Sequence, residues 1–153
     1  MSTRNLVYLV GTLLLGGCAT EKAAGPQAKT FEVPLTKSCD SAGAEAKGSA
    51  TVTVAADDAS ITVTVTYSGL SGDITAAHVH VGAAGTNGPV VLPFAAPFTS
   101  PFTKTFTAAD YTAAAGAPAD FPAVVTALKA GGAFYVNVHT VACKPGEIRG
   151  EIQ

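Results

Sequence analysis

The chain has 153 residues, of which 48% are hydrophobic and 13% charged, and its net charge is -2. This length fits one domain with short extensions, and the apolar content is too high for an intrinsically disordered chain. Its Lys and Arg residues form no run, and phosphate neutralisation needs clustered positive charge, so nucleic acid is not an expected partner.

The first 17 residues have the features of a bacterial lipoprotein signal peptide. Arg4 supplies the positive charge, and the apolar stretch 6–15 is too short to span a bilayer comfortably. The sequence Leu-Gly-Gly-Cys at 15–18 resembles the lipobox, whose Cys accepts a diacylglyceryl group and becomes the mature N-terminus. Cys18 is therefore the predicted lipidation site. The alternative is a general secretory signal that is cleaved nearby, with Cys18 incidental.

The segment after the signal predicts a tether. Residues 18–29 are small, polar and without periodicity, as expected of a link between a lipid and a folded domain. The domain itself is predicted over residues 30–153. We expect it to be anchored to a bacterial membrane in the cell envelope. The residue after the Cys is Ala19 and not the Asp associated with inner-membrane retention, which favours the outer membrane.

Apolar and polar residues alternate along most of the domain, which predicts an all-β fold. The pattern is clearest where branched apolar residues alternate with Thr on both sides of a turn at 57–59. Pro34 predicts that the first strand is an edge strand, because proline cannot donate to a ladder. The predicted strands cover residues 30–35, 48–56, 60–68, 76–81, 90–94, 101–107, 134–140 and 146–152.

Two short helices are predicted between the sixth and seventh strands. The first covers residues 108–115. The second begins at Asp120, a good N-cap, has Pro122 in its first turn and ends before Gly131. Short antiparallel strands joined by Gly and Pro turns favour a β-sandwich with Greek-key connections, with these helices in the connections.

The last predicted strand has one apolar and one charged face. Glu147, Arg149 and Glu151 alternate with apolar or small residues, so these three side chains are predicted to face solvent together.

Two cysteines remain if Cys18 is acylated. Cys39 and Cys143 lie near the two ends of the domain, and an exported chain meets oxidising conditions, so a disulfide between them is predicted. The alternative makes Cys143 a metal ligand, four residues after His139. It would leave Cys39 unpaired.

All three histidines lie on two predicted strands. His78 and His80 are two residues apart and project from one face, and His139 shares a face with Tyr135 and Asn137. If the two faces meet, three imidazoles can bind one copper, zinc or nickel ion and leave a position open for water or a substrate. Copper is the favoured ion. The alternative is a structural role, in which these side chains form hydrogen bonds to the backbone.

Three segments together resemble the CHRD domain, the module named after chordin. They are AHVHVGAAGTNGPVV at 77–91, YVNVHT at 135–140 and GEIRG at 146–150, and the resemblance extends over residues 31–152. It implies an immunoglobulin-like β-sandwich of the kind found in bacterial secreted proteins and lipoproteins. In chordin such domains belong to a secreted binder of growth factors, and this partner does not carry over to a bacterial lipoprotein.

A second likeness is to copper-zinc superoxide dismutase, whose copper strand also carries H-V-H. His78, His80 and His139 would then correspond to copper ligands, but no histidine is left to bridge to zinc or to bind it. No nucleophile elbow is present either, so no catalytic residue is predicted. We expect a non-catalytic binding or structural module of the envelope. Copper binding through the three histidines is the alternative, and a dismutase-like redox enzyme is a more distant one.

Overall fold

The computed structural model of the protein describes residues 25–153. The predicted signal peptide, Cys18 and the first part of the tether lie outside the described residues. The elements are β1 (Lys29–Lys37), β2 (Lys47–Val54), β3 (Ile61–Ser68), β4 (Ile74–Val81), β5 (Val90–Pro93), β6 (Phe102–Phe106), a 3₁₀ turn (Ala108–Asp110), α1 (Phe121–Lys129), β7 (Phe134–Thr140) and β8 (Ile148–Ile152).

The alternation of Val or Ile with Thr determines which side of the sheet is buried. Along β2 and β3 the branched apolar side chains point inward and are fully buried. The threonines point outward and pair across strands, as in the hydroxyl contacts Thr62–Thr105 (2.9 Å) and Thr64–Thr103 (2.8 Å). Such cross-strand pairs stabilise the sheet while its other face forms the core.

The eight strands form one continuous antiparallel sheet, in the order β5-β4-β7-β8-β1-β2-β3-β6. Its two edges approach each other through Phe94, whose ring lies 5.3 Å from that of Phe102 and 5.0 Å from that of Phe106. The predicted all-β class is confirmed. The Greek-key sandwich is not confirmed, because the sheet is nearly closed and barrel-like. Among residues 25–153, no helix is both long and apolar enough to span a bilayer.

The prediction that β1 is an edge strand is wrong, since β1 lies between β8 and β2. β1 pairs with β2 over seven residues but with β8 only through Thr36–Arg149 and Lys37–Ile148. Pairing with β8 begins at Thr36, two residues after Pro34. The short ladder to β8 therefore does not need the N–H that proline lacks.

The second predicted helix is confirmed as α1. The Asp120 carboxylate accepts a hydrogen bond from the Ala123 N–H at 2.8 Å, which satisfies a donor of the first turn. The helix buries one stripe of side chains on the sheet, and the chain leaves it at Gly131 with a positive φ of 78°. The stripe consists of Phe121, Val124, Val125 and Leu128.

The first predicted helix, 108–115, is wrong beyond its first three residues. The Thr107 N–H donates to the Asp110 carboxylate at 2.9 Å and starts a 3₁₀ turn. The backbone is already extended at Tyr111, whose hydroxyl donates to the Pro118 carbonyl. This hydrogen bond holds the residues between Tyr111 and Pro118 in a non-helical conformation.

Glu147 differs most from its predicted setting. It lies in the turn before β8, is fully buried, and does not face solvent with Arg149 and Glu151. Its carboxylate accepts hydrogen bonds from the N–H of Gly43 (3.0 Å), the N–H and hydroxyl of Ser71 (2.7 and 2.8 Å) and the hydroxyl of Thr140 (2.6 Å). Glu147 therefore joins two loops to the end of β7.

Candidate metal centre

The pairing of β4 with β7 brings the three histidines together. In this register His78 lies opposite Asn137, His80 opposite Tyr135 and Ala76 opposite His139. Because side chains two residues apart share a face, both histidines of β4 lie on the same side of the sheet as His139. The predicted meeting of the two faces is therefore observed.

The three imidazoles lie within reach of one ion. Each ring offers one nitrogen, and these nitrogens all lie within 4.8 Å of one another. His78 Nδ1 and His139 Nε2 are 3.1 Å apart. Two nitrogens bound to one zinc-sized ion at tetrahedral angles are separated by about 3.3 Å. His80 is 7% exposed and the other two are partly exposed, so the cluster is open to solvent on one side.

Backbone carbonyls determine which nitrogen each ring can offer. His80 Nδ1 lies 2.8 Å from the Gly88 carbonyl oxygen, and His139 Nδ1 lies 2.7 Å from the Lys144 carbonyl oxygen. A carbonyl can only accept, so each Nδ1 carries the hydrogen and each Nε2 keeps its lone pair. Metal-binding histidines are commonly oriented in this way.

The surroundings of His78 and His80 favour the uncharged form of both rings. Burial, together with the neighbouring His139 and His80, lowers the pKa of His78 to about 4. Burial also lowers the pKa of His80, and the nearby His139 and Arg149 act in the same direction. Hydrogen bonds to Gly88 and Asn137 oppose these effects at His80 without reversing them. Since a metal binds neutral imidazole, these lowered pKa values favour the form of His78 and His80 that ligation requires.

Tyr135 fixes the plane of His80. The two rings are stacked with centroids 4.6 Å apart and an interplanar angle of 5°. The Arg149 guanidinium lies 3.3 Å from the Tyr135 ring centroid, and its Nε donates to Glu151 at 2.9 Å. The Tyr135 hydroxyl accepts from the Gly88 N–H at 3.1 Å, so the same turn that orients His80 also holds the ring beside it.

The family assignment follows from a match over almost the whole described chain. Residues 28–152 match the CHRD domain. The chain belongs to the CHRD domain family. No curated protein and no solved structure matches the chain significantly. The CHRD domain is not a known enzyme family. In this chain His78, His80 and His139 form a cluster that could hold a metal ion.

The two cysteines of the CHRD domain form the predicted disulfide, Cys39–Cys143, across 104 residues of sequence. The bond excludes Cys143 as a metal ligand, because its sulfur is bonded to the sulfur of Cys39. Cys143 is buried in the turn between β7 and β8, next to Lys144, whose carbonyl orients His139. The disulfide therefore supports the centre indirectly.

Sequence reasoning found the three imidazoles of the CHRD domain but not the groups that orient them. The carbonyls of Gly88 and Lys144 carry no side-chain signature, since every residue has a carbonyl. The burial of Glu147 was also missed. The only local sign is Gly146 before it, whose φ of 118° ends the alternation that would have placed Glu147 outside.

Proposed function

We propose that this CHRD domain is a non-catalytic envelope module that binds one transition-metal ion, with copper as the favoured ion. The observation that carries the proposal is the convergence of the histidine nitrogens within 4.8 Å, with His78 Nδ1 and His139 Nε2 3.1 Å apart. Imidazole nitrogens this close together can be shared by one cation, because each ring can direct a lone pair at the same point.

The ligand set favours copper among divalent ions. Imidazole nitrogen suits copper, zinc and nickel, whereas magnesium and calcium require oxygen ligands. For a given nitrogen site, Cu²⁺ binds more tightly than Ni²⁺ or Zn²⁺. The cluster of residues 78, 80 and 139 contains no carboxylate, which agrees with this preference.

The number of histidines favours metal binding over dismutase-like catalysis. The chain has three histidines and all of them belong to this cluster. A copper-zinc dismutase needs a further histidine that bridges the two ions, and ligands for zinc. Holding or delivering a single ion needs neither.

The envelope location is supported by the sequence before the domain and by the disulfide. A signal with a lipobox ending at Cys18 would attach the module to a membrane, and a disulfide such as Cys39–Cys143 persists in oxidising compartments. Globomycin-sensitive processing and a lipid mass on Cys18 are expected. Unchanged processing of the Cys18→Ala variant would count against the anchor.

Metal binding is tested on exported protein purified without a histidine tag. Copper is measured after purification, and affinity for Cu²⁺ is measured by competition with a chromophoric chelator. We expect one ion per chain and strong loss of affinity in His78→Ala and His139→Ala. Lys144→Ala is the matched control, because it removes a side chain but keeps the carbonyl that orients His139. Wild-type protein that ignores micromolar Cu²⁺ would overturn the proposal.

A further inference from the structure

We infer that Asn137 is a fourth ligand, whose side-chain oxygen completes the metal site formed by the three histidines. This inference rests on the proposed metal binding and specifies how the ion would be held. Asn137 lies directly opposite His78 in the β4–β7 register and between Tyr135 and His139 on the same face of β7. Its Oδ1 is 3.1 Å from His80 Nε2.

The burial of Asn137 indicates a specific role for its amide. The residue is 4% exposed, and a buried amide needs polar partners for both of its ends. Its nitrogen end abuts Gly146, where a Cβ would lie 3.1 Å from Nδ2. Its oxygen end is directed at the histidine cluster, so Gly146 permits the position in which Oδ1 faces His80.

The contact between His80 Nε2 and Asn137 Oδ1 has no hydrogen between the two atoms. The hydrogen on His80 Nδ1 is used by the Gly88 carbonyl, so Nε2 of the neutral ring has only a lone pair. Asn137 Oδ1, which lies 3.1 Å away, also has only lone pairs. Two acceptors at this distance repel each other unless a positive group lies between them, and a metal ion bound by both supplies that group.

The contact between His78 and His139 fits the same ion. The hydrogen on His139 Nδ1 is used by the Lys144 carbonyl, so His139 Nε2 also presents a lone pair. His78 can donate its Nδ1 hydrogen to it in the absence of metal. When metal binds, this hydrogen moves to the Nε2 of His78 and all three rings stay neutral. The result is an N₃O set, which can hold Cu²⁺ and also suits four-coordinate Zn²⁺ and its substitute Co²⁺, the two ions used as probes below.

The competing arrangement turns the Asn137 amide by 180°, so that Nδ2 donates to the lone pair of His80 Nε2. Asn137 would then position the ring, and His80 Nε2 would have to give up this hydrogen bond before it could bind the ion. The two arrangements predict different behaviour of the Asn137 side chain when metal is added, which makes them separable.

The test uses the full exported chain with Co²⁺ and Zn²⁺ as probes. Visible absorption of the Co²⁺ protein reports coordination number, and chelator competition reports affinity. Asn137→Ala is expected to weaken Zn²⁺ binding at least tenfold and to alter the Co²⁺ spectrum, because water replaces the amide oxygen. Asn137→Asp keeps an oxygen ligand and is expected to retain both the four-coordinate spectrum and tight binding.

A folded Asn137→Ala variant that keeps both its Zn²⁺ affinity and its Co²⁺ spectrum would overturn the inference, because the loss of a ligand changes at least one of them. Should that variant not fold, or lose affinity alone, the wild-type protein decides. Zn²⁺ coordination by Oδ1 shifts the ¹⁵N resonance of the Asn137 side-chain amide, which Asn137→Asp identifies by its absence, and no shift would refute ligation. Wild-type protein that binds neither these ions nor Cu²⁺ removes the proposed function itself, and a loss confined to the Asn137 variants cannot be confused with that result.

Discussion

Replacement of Glu147 tests whether its buried carboxylate is charged and stabilises the fold. Four donors from three residues converge on its two oxygens at 2.6–3.0 Å, and the residue is fully buried. In Glu147→Gln the amide oxygen can still accept from the two backbone N–H groups, while its NH₂ group can donate to the two hydroxyls. The variant keeps its contacts but loses the charge that strengthens them.

The magnitude follows from the number and kind of these bonds. Hydrogen bonds to a charged group contribute about 1.5–3 kcal/mol each and neutral ones about half as much. Allowing for re-pairing, we expect Glu147→Gln to lower the free energy of unfolding by about 2–3 kcal/mol. Glu147→Ala leaves two backbone N–H groups without acceptors and opens a cavity, so a loss of about 3–5 kcal/mol is expected.

The pH dependence gives a second, independent readout. Burial alone raises the pKa of Glu147, but the hydrogen bonds from Thr140, Gly43 and Ser71 together outweigh it, and the pKa lies below its ordinary value. A carboxyl with a lowered pKa contributes stability above its unfolded pKa of about 4.3, and this contribution is lost as the pH falls through the folded value. The wild-type protein should therefore lose its advantage over Glu147→Gln below about pH 4.

Urea unfolding of both proteins at pH 7 and across the acid range measures these quantities. The difference between the two proteins isolates Glu147, because both carry the same histidines and aspartates. Equal unfolding midpoints at pH 7, together with parallel loss of stability in acid, would refute a charged, buried role for this carboxylate.

Three further predictions concern other parts of the described chain. The double variant Cys39→Ser/Cys143→Ser should lose roughly 4–5 kcal/mol of unfolding free energy by the chain-entropy argument. It should also bind Cu²⁺ more weakly, because the turn that orients His139 is less constrained; unchanged chelator competition would contradict this coupling. In metal-free protein, NMR titration of His78 should give a midpoint of about 4. The free energy of unfolding should therefore fall as the pH drops from about 6.5 towards 4, because only the unfolded state takes up the proton in that range. A midpoint above 6 would contradict the buried, neutral setting of His78. Asp120→Ala should lower the free energy of unfolding by about 1 kcal/mol through loss of the helix N-cap. Thermal unfolding measures this loss, and a variant that unfolds at the wild-type temperature would show that the cap is dispensable.

Local patterns predicted the elements whose physical causes are local. The Thr and Val alternation of β2 and β3 depends only on which side chains are apolar, and the cap at Asp120 acts within one helical turn. The prediction of a helix over 108–115 was wrong because a long-range contact acts on that segment: the Thr112 N–H donates to the Val91 carbonyl at 3.0 Å.

The candidate site divides in the same way. The spacing of His78 and His80 places them on one face of one strand, and this much is visible in the amino-acid order. That β7 is the neighbour of β4, in the register that sets His139 beside His78, depends on the pairing of segments about 60 residues apart. Strand spacing says nothing about which strands pair.

The amino-acid sequence by itself determined the all-β character of the domain, the identity of the three imidazoles and the family resemblance, because each of these is contained in residue type and short-range periodicity. Only the tertiary structure decided that the sheet is continuous and nearly closed, that Glu147 is buried, and that two backbone carbonyls and Asn137 surround the histidines. Burial and convergence are properties of groups far apart in the chain. They arise from the free energy of packing and pairing whole strands, which no single segment contains.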